Sequence, residues 1–276
     1  MTTCQLNVKV FKHYSETEHL WLSDPLKNHC FDEEMLSFYA DGLSISLNEA
    51  GDEYSIKAAR NDSALIDLVV KRVTPGFHAG KDGTTYYGTD PENPWGEMKH
   101  RFWPRCSVTG SMITPEKKYD FAGRGVFIYA IQGMKPHHAA ATWNFVTFQA
   151  DEYSAIMMEF ITPPSYGSTS VIVGGIVKDG AIVHAGATNS ITHLESKDDP
   201  ETYWPEPVAI EYKWESNDAT YLAELSGPIG ERTDRVDVLY HIPGIIKSLV
   251  GGVVGTRPFI YQVSCKMHYP KLFTSP

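Results

Sequence analysis

The stretch Ser168-Thr-Ser-Val-Ile-Val-Gly-Gly-Ile-Val177, Lys178-Asp-Gly180, Ala181-Ile-Val-His-Ala-Gly-Ala187 decides the fold class. Two runs rich in β-branched residues flank an Asp-Gly pair. Asp-Gly favours the positive φ of a two-residue hairpin turn, whose twist matches that of the strands it joins. The same grammar extends outward from this hairpin. Segments 125–131, 142–149, 154–160, 208–214, 220–225 and 259–267 all read as strands. Upstream, Leu43, Ile45 and Leu47 alternate with Ser44, Ser46 and Asn48 ahead of the turn Glu49-Ala-Gly-Asp52. Ile66, Leu68 and Val70 form the next strand, and Leu6, Val8 and Val10 alternate with Gln5, Asn7 and Lys9 at the N-terminus. A period of two puts each apolar set on one face. No strand–helix–strand rhythm appears, which excludes a parallel nucleotide-binding sheet. The expectation is an all-β chain of antiparallel barrels or sandwiches. One short helix is predicted over 242–250, where Ile245, Ile246, Leu249 and Val250 share a face.

Between these regions, residues 75–104 are dense in turn residues: Pro75-Gly76, Asp82-Gly83, Asp90-Pro91, Asn93-Pro94 and Trp95-Gly96. They read as long shaped loops, with new strand pattern starting at Val108. A domain boundary is therefore expected near residue 109, giving domains of 1–108 and 109–276.

Composition narrows the function classes. The chain has 276 residues and a formal net charge of -10. Such a chain is repelled by nucleic-acid phosphates, and its strongest basic cluster, Lys99-His100-Arg101 with Arg105, is broken by Phe102-Trp-Pro104. No nucleic-acid partner is expected. Cys4, Cys30, Cys106 and Cys265 are scattered without a CxxC pair, which fits a reducing compartment and argues against structural zinc. The N-terminus lacks the basic and apolar regions of a signal peptide. No apolar run reaches the ~20 residues needed to span a bilayer. The longest, 245–254, carries Lys247, Gly251 and Gly252.

Candidate chemistry is sparse. There is no GxSxG elbow, no HExxH and no phosphate-binding glycine motif, so no catalytic residue, metal or cofactor is assigned. Pro163-Pro-Ser-Tyr-Gly167 reads as a tight turn at a barrel rim. His137 and His138 are adjacent, so on a strand they would face opposite sides. Asp198-Asp199 reads as a solvated loop pair. Glu159 differs, because it sits in the apolar run Ala155-Ile-Met-Met-Glu-Phe160 and must be paired, exposed or functional. Apolar, aromatic and polar residues concentrate in Gln132-Gly-Met-Lys-Pro-His-His138 and Trp143-Asn-Phe145. Small-molecule sites are built from such mixtures. The candidate ligand-binding residues are Gln132, Met134, His137, Trp143, Asn144, Glu159 and Tyr166.

The segments Tyr86-Tyr-Gly-Thr-Asp-Pro91, Pro94-Trp-Gly-Glu-Met98, Arg101-Phe-Trp-Pro-Arg-Cys106, Gln132-Gly-Met-Lys-Pro-His-His138, Trp143-Asn-Phe-Val-Thr-Phe-Gln149 and Met158-Glu-Phe-Ile-Thr-Pro-Pro-Ser-Tyr-Gly167 resemble the fungal survival factor 1 (Svf1-like) family. That resemblance covers essentially the whole chain. It implies two lipocalin-like β-barrels in tandem, ceramide carriage between ER and Golgi membranes, and survival under oxidative stress. It also implies a cytoplasmic, partly nuclear protein. Full-length relatives would touch ER or Golgi membranes through an N-terminal amphipathic helix. The chain begins inside the first barrel by this comparison, so 1–108 is expected to be a partial domain and 109–276 a full one. Distant similarity to carotenoid hydratases and lipocalin-like pericyclases supplies the rival reading, an enzyme using Glu159 or His137 as acid or base. A third reading is an adaptor without ligand. The passive reading expects an apolar interior that takes up a lipid tail, where shielding about ten methylenes is worth ~8 kcal/mol before ordering costs.

Overall fold

The computed structural model describes residues 4–11, 19–60, 63–90, 92–216, 221–230, 232–237 and 259–264. They are almost entirely β. The first strands are β1 (Cys4–Phe11), β2 (His19–Leu26), β3 (Cys30–Phe31), β4 (Phe38–Ala40), β5 (Leu43–Leu47), β6 (Glu53–Arg60) and β7 (Ala64–Arg72). Next come β8 (Phe77–His78), β9 (Thr84–Tyr87), β10 (Gly96–Ile113), β11 (Lys118–Gln132) and the four-residue helix α1 (Pro136–Ala139). The remainder are β12 (Thr142–Gln149), β13 (Tyr153–Ile161), β14 (Ser170–Lys178), β15 (Ala181–Gly186), β16 (Ser190–Asp198), β17 (Pro205–Glu215), β18 (Tyr221–Pro228), β19 (Arg232–Asp237) and β20 (Phe259–Val263). The helix expected over 242–250 and the end of the strand expected over 259–267 lie outside the described residues.

Two compact units interleave along the chain: Met1–Gly76 with Phe102–Ile128, and Phe77–Arg101 with Tyr129–Pro276. Residue 109, where a single boundary was expected, lies within the continuous strand β10. Its C-terminal half pairs with β7 from Cys106↔Arg72 to Ile113↔Leu65.

The first unit is built on the antiparallel order β10-β7-β6-β5-β4-β3, in which β3 to β7 follow one another by short connections and β10 joins β7 across the long segment 73–95. Alternation sends Leu43, Ala58, Ile66 and Met112 to one face. The β1–β2 hairpin lays Leu6, Val8, Leu20 and Leu22 against that cluster, as the N-terminal alternation predicts. A second cluster forms around Tyr54, Val70 and Cys106. Its rings pack closely, with Tyr54 and Phe127 stacked at 4.2 Å. Burial pushes the Cys106 thiol up to about 12, so it behaves as a small apolar side chain.

The second unit faces the sheet β12-β13-β14-β15 with the sheet β16-β17-β18. Met157, Ile176, Ile210, Tyr212, Trp214 and Leu225 fill the space between them. The Asp-Gly hairpin forms as expected, with Asp179 and Gly180 at φ 46° and 82°.

Several expectations are corrected. Within 75–104, expected as loop, residues 77–78, 84–87 and 96–104 are strand, and along β10 Met98, His100, Phe102, Pro104 and Cys106 are buried at every second position. The turn dipeptides around them masked that period. β16 carries a mostly exposed, polar sequence with little apolar periodicity, so it gives no strand signal. Asp199 is fully buried, not solvated. Its carboxylate accepts from Arg235 Nη1 at 3.0 Å, Arg232 Nη1 at 2.8 Å and the Glu201 amide at 2.9 Å. Burial alone would raise its pKa, but these donors outweigh it and hold the carboxyl far below the usual range. Arg232 also reaches Glu206 at 3.1 Å, and Arg235 pairs with Glu201.

Candidate functional site

Strands β12, β13 and β14 present two faces at the end where β12 begins. Cross-strand partners share a face, and the register makes Asn144, Glu159 and Ile172 one row and Trp143, Phe160 and Val171 the next. The first row lies on the face that also carries Met157 and Ile172 toward the unit's apolar centre. The second row lies on the opposite face.

On the inner face Glu159 is 8% exposed, and each of its carboxylate oxygens accepts one short hydrogen bond. Asn144 Nδ2 donates to Oε2 at 2.9 Å and Ser170 Oγ donates to Oε1 at 2.9 Å. His193 Nε2, from the facing sheet, donates to Asn144 Oδ1 at 2.9 Å. Of the outcomes expected for a carboxylate in this apolar run, paired, exposed or functional, the geometry shows pairing. Crowding around the His193 ring lowers its pKa, while the Glu159 charge pulls it upward.

On the outer face Trp143 stacks with Phe145 at 5.8 Å and Phe160 at 6.3 Å, and remains 42% exposed. A layer of Tyr87, Met98 and Ala139, joined by Met134, packs against Phe160 and Val171. Tyr87 donates its hydroxyl to Met98 Sδ at 3.0 Å, and burial pushes the phenol up to about 12. Gln132 Nε2 donates to the Met134 carbonyl at 2.7 Å, closing the turn after β11. Gly96 leaves room for Met134: a Cβ there would sit 2.9 Å from its methyl.

The Pro163–Gly167 segment is the tight turn expected, a 3-10 turn over Pro164–Tyr166 ended by Gly167 at φ 87°. It places Tyr166 between Trp95 at 4.3 Å and His138 at 5.0 Å. His137 and His138 sit on α1, their rings edge to face at 4.4 Å. Partial burial, then His138 and Lys135, hold His137 below the ordinary imidazole value.

The seven candidate residues therefore do not form one pocket. Asn144 and Glu159 lie on the inner face; Trp143 lies on the outer one; Tyr166 lies in the β13–β14 connection. Gln132 ends β11, and Met134 and His137 lie in the β11–β12 connection. Ser170, His193, Tyr87, Met98, His100 and Trp95 complete these groups without having been singled out. The alternation Met98-x-His100-x-Phe102 could have revealed the outer layer; nothing local marks His193. Among the described residues no group of three or more His, Cys, Asp or Glu is arranged to hold a metal ion. No described helix is long and apolar enough to cross a membrane.

Between the facing sheets of the second unit the described residues leave little space where a lipid-sized interior was expected. The cavity bounded by Phe148, Ala155, Ile176, Trp214 and Leu225 measures about 10 Å³, room for about one water. Trp214 occupies the space, fixed by donation from its indole Nε1 to the Ile156 carbonyl at 3.0 Å. A larger space of about 620 Å³ lies over Gly42, Ser44, Lys57, Leu65 and Ile113 of the first unit. It is an open groove that shields a ligand from one side only.

The family model described as the Svf1 family matches residues 1–272. The chain belongs to the Svf1 family. Relatives of this Svf1 member include the ceramide-binding protein svf1 of Emericella nidulans, 56% identical over 267 residues, covering 95% of this chain and 70% of that one. The protein of the same name from Aspergillus fumigatus is 57% identical over 269 residues, covering 96% and 68%. That of Schizosaccharomyces pombe is 42% identical over 266 residues, covering 95% and 70%. Among solved structures, CghA with Sch210972 superposes with a TM-score of 0.52 at 10% identity, covering 76% of this chain and 59% of that one. AttH from Nitrosomonas europaea superposes with a TM-score of 0.50 at 11% identity, covering 71% and 66%. At such identities these structures speak to fold alone. The fold of this Svf1 chain is the lipocalin-like, all-β one expected.

Proposed function

We propose that this Svf1 family member binds a ceramide-type sphingolipid and carries it without chemical change. The observation that supports it is identity of 56% and 57%, across 95% and 96% of the chain, to proteins named for ceramide binding. The geometry supplies a fitting polar end. A ceramide head is uncharged and offers hydroxyl and amide donors. The Glu159–Asn144–Ser170 group is rich in acceptors and sits at the strand ends. With the second unit's apolar centre filled, the chains lie outside it, against the exposed Trp143 ring and the half-buried Phe145 and Phe160 rings stacked with it on the other face. Gln132, Met134, His137 and Tyr166 line the neighbouring layer. The reading extends to a cytoplasmic carrier that visits ER and Golgi membranes and supports survival under oxidative stress, as the family resemblance implies.

Native mass spectrometry of the purified protein after incubation with ceramide tests the reading. A one-to-one adduct, displaced by unlabelled ceramide in a fluorescent competition assay, is expected. Protein that accepts no ceramide from carrier-delivered solution would sink it.

A further inference from the structure

We infer that the Glu159 carboxylate is a selectivity element, admitting lipids whose heads are uncharged hydrogen-bond donors and rejecting lipids whose heads carry a phosphate. The inference rests on the ceramide-binding reading and adds to it a reason for choosing among sphingolipids. Glu159 is 8% exposed near the end of β13, in the otherwise apolar run 155–160. Its two hydrogen-bond partners, Ser170 and Asn144, are neutral donors at 2.9 Å each. Among the described residues no Lys or Arg forms an ion pair with it. A carboxylate has about four acceptor positions, and these two bonds fill only part of that capacity. The remainder suits the hydroxyl and amide N–H groups of a ceramide head. A phosphorylated head brings only acceptors and negative charge to the same place, where like charges in a poorly hydrated setting repel strongly. Ser170 is exposed while Glu159 is not, so a ligand meets the carboxylate past the Ser170 hydroxyl. Asn144 is fixed in orientation by His193, which keeps its amide N–H aimed at Glu159 and not its carbonyl. That arrangement preserves Glu159 as an acceptor.

The test compares binding of ceramide and ceramide 1-phosphate of equal chain length to the native protein and to Glu159→Gln and Ser170→Ala. The native protein is expected to prefer ceramide by about tenfold or more, on the scale of a close like-charge contact. Glu159→Gln should narrow that preference severalfold, because its amide can donate to phosphate. Ser170→Ala changes an exposed side chain, so it keeps the measurement decisive where Glu159→Gln fails to fold. It should shift the ratio in the direction opposite to Glu159→Gln, since it strips a donor from the carboxylate and leaves more of its charge for the ligand. Equal binding of both lipids by the native protein, or a preference that neither variant moves, overturns the inference and leaves ceramide binding standing. A native protein that binds no ceramide defeats the underlying reading instead.

Discussion

Trp214 shows how much one side chain decides. It is 1% exposed in the middle of the second unit, and its indole N–H reaches a carbonyl 58 residues away in sequence. Gly174 faces it with no side chain: a Cβ at that position would lie 3.0 Å from the indole nitrogen. Replacing Trp214 with Ala should destabilise the protein by about 3–5 kcal/mol, the usual cost of emptying a large aromatic site. Urea denaturation followed by fluorescence or circular dichroism measures this, and a loss under about 1 kcal/mol would contradict the packing described. The sequence places Trp214 at the end of a strand but does not say that it plugs the interior. That depends on the facing sheet, which no local pattern specifies. Glu159 is the converse case. Its need for partners is legible from its apolar neighbours, because an unpaired buried carboxylate is too costly. Asn144 and Ser170 as those partners, and His193 behind them, are legible only once three strands and a second sheet are in register.

At the level of elements, β10 carries the largest difference between reading and structure. It runs 18 residues, through a Trp-Pro pair, where turn residues upstream suggested loops. Its alternation of buried positions from Met98 to Cys106 is the physical signal, and Gly110 is where it closely approaches β7. Gly110 has φ 127°, and a Cβ there would lie 2.1 Å from the Asp67 carbonyl oxygen on the paired strand β7. Gly110→Ala should therefore cost about 2 kcal/mol or more, since both the backbone conformation and the close approach exclude a side chain. A shift in denaturation midpoint with an unchanged m-value is the expected result. A midpoint equal to that of the native protein would show that this strand pairing is not as described. The hairpins at residues 48–53 and 178–181 were legible in advance because turn chemistry is local. Asn48 accepts from the Asp52 and Glu53 amides, and Asp179-Gly180 takes the positive φ values its residues favour.

For the whole molecule, histidine burial sets an acid limit. His100 is 5% exposed, and burial lowers its pKa below 6.5; His184 is likewise lowered by burial, opposed by its contact with Asn189. The folded state thus keeps these rings neutral where the unfolded chain takes up protons. Their contribution is fully present above pH 6.5 and is lost as pH falls below it. Melting temperature should hold steady from pH 8 to about 6.5 and then decline, and His100→Gln should flatten the upper part of that decline. A native protein with constant stability down to pH 5 would refute the burial of these rings. Asp199 acts at far lower pH, because its donors hold it ionised until strongly acidic conditions. The sequence by itself determined the all-β class, most of the strands, the tight turns and the family, because alternation and turn preference are properties of neighbouring residues. Tertiary structure alone decided that the second unit's interior is full, that Asp199 is buried between two arginines, and that Asn144 and Glu159 face one way from their sheet while Trp143 faces the other. Each of those depends on which distant segments meet, and a side chain's neighbours across a sheet are set by register and packing that no single stretch encodes.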